Sequence, residues 1–472
     1  AYRKAMAIRP AEAAPYFNLA LLYRKQGDAS ASGEIYREAL ASGAASPALL
    51  NNLGRMEADA GMMANAERLY RNALELDPAY ETALLNLAAL LSRDERAREA
   101  SALLEPLILS GAASPAIYYN AGMARMRMGD DPGAIRRFSD ALVRDPDYLE
   151  ARHNLGLIYL RQGDMARARE TLAPTVEDEQ AAPETLYNLA LAQLRDGDVG
   201  DAVETLQAVL EIKPDYAAAH YNLGLAFLRL NNYLQARSSF NEALAHEPVY
   251  PEALYNLGMA HLGLEDDASA LKAFRAAADQ RNDYAEAWYN IGVVLSRSGD
   301  PAMIDAFARA VALTPGKADY HASAGRSLQR LKRYDEAADA FTQAMKLMPE
   351  PDEKLLSRRV YCLGKAGRTE EAEEAYRALI AAYPDNSSYR FNYAVHKARV
   401  GDEEGARGIY EQLVSDDPAY SKAWNNLIYV HIRAGRLREA RACLDQLRKL
   451  NPGYHNLAST ASDLEAAERK QR

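Results

Sequence analysis

The sequence predicts an all-α solenoid of helix-turn-helix hairpins. Three observations carry that expectation: a 34-residue internal period, glycine and proline at fixed points within it, and the absence of long Val/Ile/Thr runs. Asparagine recurs at Asn18, Asn52, Asn86, Asn120, Asn154, Asn188, Asn222, Asn256 and Asn290, each 34 residues after the last. A period of this length marks a repeat architecture in which each unit buries its apolar face only against its neighbours.

Each part of the unit has a physical role. The first helix (A) carries strings such as Tyr221-Asn-Leu-Gly224, Tyr255-Asn-Leu-Gly258 and Tyr289-Asn-Ile-Gly292. The small residue two after the Asn (Gly156, Gly224, Gly258, Gly292) lets helix A approach its partner closely. Nine residues after the Asn comes a turn residue, often glycine (Gly27, Gly61, Gly129, Gly163, Gly197, Gly299), which suits the left-handed conformation that ends a helix. Nine further on, the second helix (B) carries Tyr36, Tyr70, Phe138, Leu172, Leu206, Phe240 or Phe274 to fill the space between helices. Proline closes many units (Pro78, Pro146, Pro214, Pro248, Pro349, Pro384, Pro418, Pro452) because it cannot donate a backbone hydrogen bond. A longer repeat is also visible: Ser42-Gly-Ala-Ala-Ser-Pro47 returns as Ser110-Gly-Ala-Ala-Ser-Pro115, and Pro183 and Pro251 continue the spacing at the first turn of helix A.

The pattern Ala287-Trp-Tyr-Asn-Ile-Gly292, Gly299-Asp, Phe307, Ala310 and Pro315 resembles the tetratricopeptide repeat, and the resemblance runs through essentially the whole chain. The unbroken Asn ladder resembles the repeat region of the O-linked N-acetylglucosamine transferases. The resemblance implies a right-handed superhelix whose A helices line the concave surface. Thirteen units fit residues 11–452, with residues 1–10 as the remnant of a preceding helix and 453–472 as a capping helix. The ladder breaks late: repeat nine is one residue short, Ser323 and Arg358 replace Asn, and Pro349-Glu-Pro-Asp352 is a long connection. Two readings of residues 297–358 stay open, local drift of the repeat and a change of pitch, before Asn392 and Asn426 restore the pattern.

The resemblance puts the Asn row, from Asn18 to Asn426, down the inner groove as the expected peptide-binding ladder. A carboxamide both donates and accepts hydrogen bonds, so it can hold a peptide backbone without reading side chains. Helices about 8–10 Å apart place successive rungs roughly three extended residues apart. Seven residues after the ladder lies a basic row on the same face: Arg93, Arg127, Arg161, Arg195, Arg229, Arg297, Arg330, Arg399 and Arg433, with Lys25 and Lys365 and the exceptions Asp59 and Gly263. That row reads either as a solvated helix face or as a row that selects acidic segments. An aromatic often precedes the Asn (Phe17, Tyr119, Tyr187, Tyr221, Tyr255, Tyr289, Phe391), some of it packing and some available to a ligand.

The net charge of −10 argues against a nucleic-acid partner. No apolar run reaches the roughly 18 residues of a membrane span. Cys362 and Cys443 fall in different units, so no disulfide framework is expected. No metal, phosphate-loop or nucleophile-elbow signature is present, so no catalytic residue, metal or cofactor is assigned. The expected function is a non-catalytic scaffold, monomeric or weakly oligomeric, binding extended segments of proteins or peptides along the Asn-lined groove. Two alternatives stay open. One is the substrate-recognition arm of a larger, glycosyltransferase-like enzyme whose catalytic domain lies outside this chain. The other is a bacterial envelope-assembly adaptor, whose signal or lipid anchor would lie upstream. Only 13 of the 56 basic residues are Lys, which suggests a GC-rich bacterial genome. A soluble cytoplasmic or periplasmic location fits either reading.

Overall fold

The computed structural model of the chain describes all residues except 94, 178–180, 351 and 472. Pro351, in the expected long connection, and Arg472, at the end of the expected cap, lie outside the described residues. The described residues form α-helices joined by tight turns, with one 3₁₀ segment and no strand. They make an all-α repeat solenoid that divides into two compact units, Ala1–His246 and the chain from Glu247 onward. The first unit holds a short leading helix, Tyr2–Ile8, and the hairpins from Ala13–Lys25/Ala29–Ala41 to Ala217–Arg229/Tyr233–His246. The second runs from Pro251–Gly263/Asp267–Gln280 to Ser421–Arg433/Leu437–Leu450 and ends in Leu457–Gln471. The region where the ladder breaks lies inside this second unit.

Within each hairpin the B-helix ring lies on the A-helix glycine. A Cβ on Gly224 or Gly258 would stand 2.6 Å from the ring of Phe240 or Phe274, and on Gly122 2.6 Å from Phe138. These rings are fully buried. Glycine is therefore required by contact here, whatever its cost in helix propensity. Pro47, Pro115, Pro183 and Pro251 each begin helix A, and Ser46 and Ser114 cap two of these helices through Oγ. The deletion in repeat nine shortens helix B to Met303–Leu313. A second irregularity comes from Pro174: helix B of the fifth hairpin stops at Leu172 and continues as a 3₁₀ turn, Ala173–Glu177.

Among the described residues, each of the thirteen A–B turns contains one residue with positive φ; nine of these are glycine, and the others are Glu95, Asn231, Glu265 and Lys332. For an L-residue this conformation costs roughly 1–2 kcal/mol. Lys332→Gly, at φ +62, is expected to stabilise its hairpin by about 0.5–1 kcal/mol after the entropy of the more flexible unfolded chain is subtracted. Slower local amide exchange in Ala318–Arg330 and Tyr334–Lys346 would show it; unchanged exchange would refute it.

In each unit, successive A helices touch: Glu81–Arg93 with Pro115–Arg127, and Leu149–Gln162 with Pro183–Asp196 in the first, Ala285–Ser298 with Ala318–Arg330 in the second. Among the described residues no pair of successive B helices makes comparable contact. Converging A helices and splayed B helices put the A helices on the inner side of each unit. The end helix, Leu457–Gln471, packs on both helices of the last hairpin, buries Leu464 and donates a hydrogen bond from Thr460 Oγ1 to Asn425 Oδ1, 2.7 Å. Among the described residues, no helix is long and apolar enough to cross a membrane.

Candidate functional site

The ladder asparagines sit on the inner helices, mostly half-buried, with Asn18 and Asn392 exposed. Their amide hydrogens are largely committed within the protein. Asn120, Asn154, Asn222 and Asn256 each donate Nδ2–H to the carbonyl four residues back, at 2.8–2.9 Å. Because that partner is a carbonyl, the atom facing it must be the nitrogen. A second bond crosses to the preceding hairpin. Asn154 reaches the hydroxyl of Tyr119 (3.4 Å), Asn222 that of Tyr187 (2.8 Å) and Asn290 that of Tyr255 (3.0 Å), in each case 35 residues earlier. Asn52 and Asn426 instead reach Tyr36 and Tyr410 in the B helix of the preceding hairpin, and Asn86 donates to Asn51 Oδ1. Asn188 is half-buried on the same face. Where Ser323 replaces Asn, its Oγ lies 3.3 Å from the Tyr289 hydroxyl. Arg358, the other replacement, donates to Gln329.

The tyrosines that precede the ladder are packing residues as well as hydrogen-bond acceptors. Tyr119 lies 5.8 Å from Phe138 and 5.3 Å from Tyr148; Tyr255 lies 5.6 Å from Phe274 and 5.1 Å from Tyr284. Tyr289 stacks on Tyr320 at 4.6 Å, Phe391 tilts against Tyr410 and Tyr420, and Phe17 against Tyr36. The contacts with Tyr148, Tyr284, Tyr320 and Tyr420 tie each of these hairpins to the next, and the others join helix A to helix B of one hairpin. Burial raises the hydroxyl pKa of Tyr119, Tyr187 and Tyr255 above the usual tyrosine value.

Seven of the nine row arginines reach back to the preceding hairpin. Arg127 donates to the carbonyl of Ser92 at 2.9 Å, and Arg229, Arg330 and Arg399 donate likewise to Leu194, Ser296 and Gly364. A guanidinium at the C-terminal carbonyls of a helix satisfies groups that have no partner in the helix itself. Arg161 pairs with Asp131, Arg297 with Asp267 at 2.5 Å and Arg433 with Glu403 at 2.7 Å. Arg93 and Arg195 are exposed and make no ion pair among the described residues. Lys25 is exposed, and Lys365 lies over the Tyr361 ring. The row therefore has a structural use that competes with ligand contact.

Two features of the inner face were missed in the sequence. One is a recurring cation stack. Lys213 lies over Tyr216 and bonds Glu184; Arg281 lies over Tyr284 and bonds Glu252; Lys317 lies over Tyr320 and bonds Glu286. The signal was a basic residue three before a tyrosine that caps helix A, as at Tyr216 and Tyr284, or lies in its first turn, as at Tyr320. The other is a cleft of about 690 Å³ lined by Asp145, Asp147, Glu150 and Glu184 beside Tyr119, His153 and Asn154. The inner face thus alternates in charge. His153 shares a 2.8 Å hydrogen bond with Thr185, and burial lowers its pKa. Cys362 and Cys443 are free thiols pushed up to about 11 by burial, which leaves them protonated and unreactive at neutral pH. Among the described residues, no cluster of His, Cys, Asp and Glu could hold a metal ion.

The model of a tetratricopeptide repeat matches residues 17–81, 119–184, 221–285, 304–349 and 363–421, and a second such model matches 328–390 and 398–461. Protein O-mannosyl-transferase TMTC3 of Homo sapiens is 27% identical over 167 residues, which is 32% of this chain and 18% of that protein. Small glutamine-rich tetratricopeptide repeat-containing protein 2 of Mycosarcoma maydis is 28% identical over 105 residues, 22% of this chain and 30% of that one. The chain thus spans less than a third of the length of either relative. A structure of MamA from Desulfovibrio magneticus RS-1 is 26% identical and covers 35% of this chain and 95% of its own, with a TM-score of 0.34. With family matches over more than half of its residues, the chain belongs to the tetratricopeptide repeat family.

Proposed function

We propose that this chain is a protein-interaction scaffold that holds extended peptide against its A helices by the peptide's backbone N–H groups. One observation carries the reading. In Asn154 and Asn222 both amide hydrogens are used within the protein, on the i−4 carbonyl and on the preceding hairpin's tyrosine. The carboxamide is therefore oriented by two bonds, and Oδ1 is left as the acceptor on the inner face. An acceptor oriented in this way at Asn154 and Asn222, on a row that recurs along the inner helices, suits a chain that offers an N–H every other residue along one edge. The ladder acts here by accepting, a narrower chemistry than the mixed donor and acceptor role expected of a free carboxamide. The inner face alternates in charge, so acidic preference is confined to local sites in this reading.

The test separates backbone capture from scaffold strength. A peptide-array screen identifies binders, and the best is remade with alternate backbone nitrogens methylated. Changing Asn154, Asn188, Asn222 and Asn256 together to Ala is expected to abolish binding, as is N-methylation of the ligand. Tyr187→Phe removes the hydroxyl that accepts from Asn222. It is expected to cost about 1 kcal/mol of local stability while binding falls no more than a few-fold. If the N-methylated peptide binds as well as its parent, the backbone reading is wrong.

A further inference from the structure

The hairpins Glu353–Ala366/Thr369–Ala382 and Ser387–Arg399/Glu403–Asp416 depart from the repeat at two facing positions. Six residues beyond the ladder, five A helices carry Leu160, Leu194, Leu228, Leu262 or Ile432 and the adjacent ones carry Gln329 and Ala398; this one carries Gly364, with no side chain at all. Four beyond the ladder, others carry Ile158, Ala192, Ala226, Ala260 or Val430; the next helix carries His396. Val360 also stands where glycine elsewhere receives the B-helix ring, and the Tyr376 ring lies instead against Tyr393 at 5.2 Å and His396 at 5.4 Å. The result is a cavity of about 270 Å³ on the inner face, reaching from Tyr361 and Lys365 to Asn392 and His396.

The chemistry of the lining is one-sided. His396 is 4% exposed, and neither ring nitrogen has a protein partner. Buried polar atoms are nearly always satisfied, so a doubly unpartnered imidazole lining a cavity points to a ligand. Arg399 spends one of its five N–H groups on the Gly364 carbonyl. Lys365 is exposed at the rim, and no carboxylate lines the cavity. The volume admits one side chain or a small acid, below the usual range for larger ligands.

We propose that this cavity binds a single carboxylate carried on a slim aliphatic chain, with His396 as a hydrogen-bond donor at its floor and Arg399 and Lys365 as the cations that hold the charge. The source is an acidic side chain of a peptide held as described above, or a free small dicarboxylate of the same shape. Only the first source rests on the peptide reading. Binding is coupled to a proton. The groups facing His396 are Arg399 and Lys397, which disfavour imidazolium, and Glu373, which favours it, with the neutral Tyr376 ring against its face. Lys397 is itself paired with Glu373 at 2.8 Å and with Asp402 at 2.9 Å. A carboxylate entering the cavity adds the missing negative charge and draws a proton onto His396, so affinity rises as pH falls from 7.5 to 6.0.

The experiment uses the full chain, glutarate, and an extended peptide with one glutamate beside its glutamine twin. Titration calorimetry reads affinity, and imidazole NMR shifts report on His396. The glutamate peptide is expected to bind at least tenfold more tightly than the twin, and at least threefold more tightly at pH 6.0 than at 7.5. Gly364→Leu and His396→Val, each installing a residue found at the same position in other hairpins of this chain, are expected to reduce that preference below twofold with helical content unchanged. Glutarate that shifts His396 while the peptides show no preference supports the site and assigns it to free acids. If both peptides bind equally and glutarate leaves His396 unmoved, the cavity proposal fails and the backbone reading stands. If neither peptide binds but glutarate shifts His396, the backbone reading fails and the site stands. A preference that survives Gly364→Leu overturns the site.

Discussion

Phe274→Ala is expected to cost about 3–5 kcal/mol, the largest effect of any single truncation considered for this chain. The ring is fully buried, lies against the face of Gly258 and meets Tyr255 at 5.6 Å. Its removal leaves a cavity that Gly258 cannot fill, because glycine has no side chain to move. It also releases Tyr255, whose hydroxyl takes the inter-hairpin bond from Asn290. In a solenoid the loss passes to the nearest neighbours and fades beyond them. Hydrogen exchange measured by segment is the suitable readout, since unfolding of so many repeats need not be two-state. Protection should collapse in Pro251–Gly263, Asp267–Gln280 and Ala285–Ser298 and persist near Leu437–Leu450. The pair Gly258→Ala with Phe274→Leu copies the Ala88/Leu104 and Ala190/Leu206 combinations of other hairpins. It should cost less than the two single changes added together. Full additivity would mean that the glycine–ring contact does not set the packing.

The second large effect is loss of stability in mild acid. Burial lowers the pKa of His153, His396 and His431 below the ordinary 6.5. His431 Nδ1, like both nitrogens of His396, has no protein partner. A histidine with a depressed folded-state pKa is held neutral, so the unfolded chain binds more protons just below 6.5 and stability falls as pH falls. The contribution is complete above about pH 6.5 and is lost progressively below it. Carboxylates such as Glu67, Asp130 and Asp402 are also held low, by Arg96, Arg125 and Lys397 respectively, but they lose their contribution only below the ordinary carboxylate range. The interval from pH 6.5 to 5 therefore belongs to the histidines. The melting temperature should drop across it, and His396→Val with His431→Leu should flatten the slope. A slope unchanged in that variant would assign the effect to other groups.

Much of the fold was legible because a repeat states its packing many times over. The 34-residue Asn spacing, the prolines at helix starts and the glycines under B-helix rings each have a direct steric meaning, and each is found in contact as its spacing implies. Pro174 was visible in the sequence but its effect on helix B of the fifth hairpin was not read. The side-chain chemistry of the inner face was less legible. Spacing placed Asn and Arg on helix A, yet a one-dimensional period cannot say whether a polar atom meets a ligand or the hairpin before it. Only the tertiary structure showed Asn222 held by Tyr187, and Arg127 capping the helix that ends at Arg93.

By itself, then, the sequence determined an all-α repeat with its helices and turns, because those depend on interactions within a unit and between similar neighbours. Tertiary structure decided which polar groups are already spent and where Gly364 and His396 open a cavity between two hairpins. These depend on residues 30 or more positions apart being brought within hydrogen-bond or van der Waals distance, at places where neighbouring repeats differ. A consensus averages those differences away.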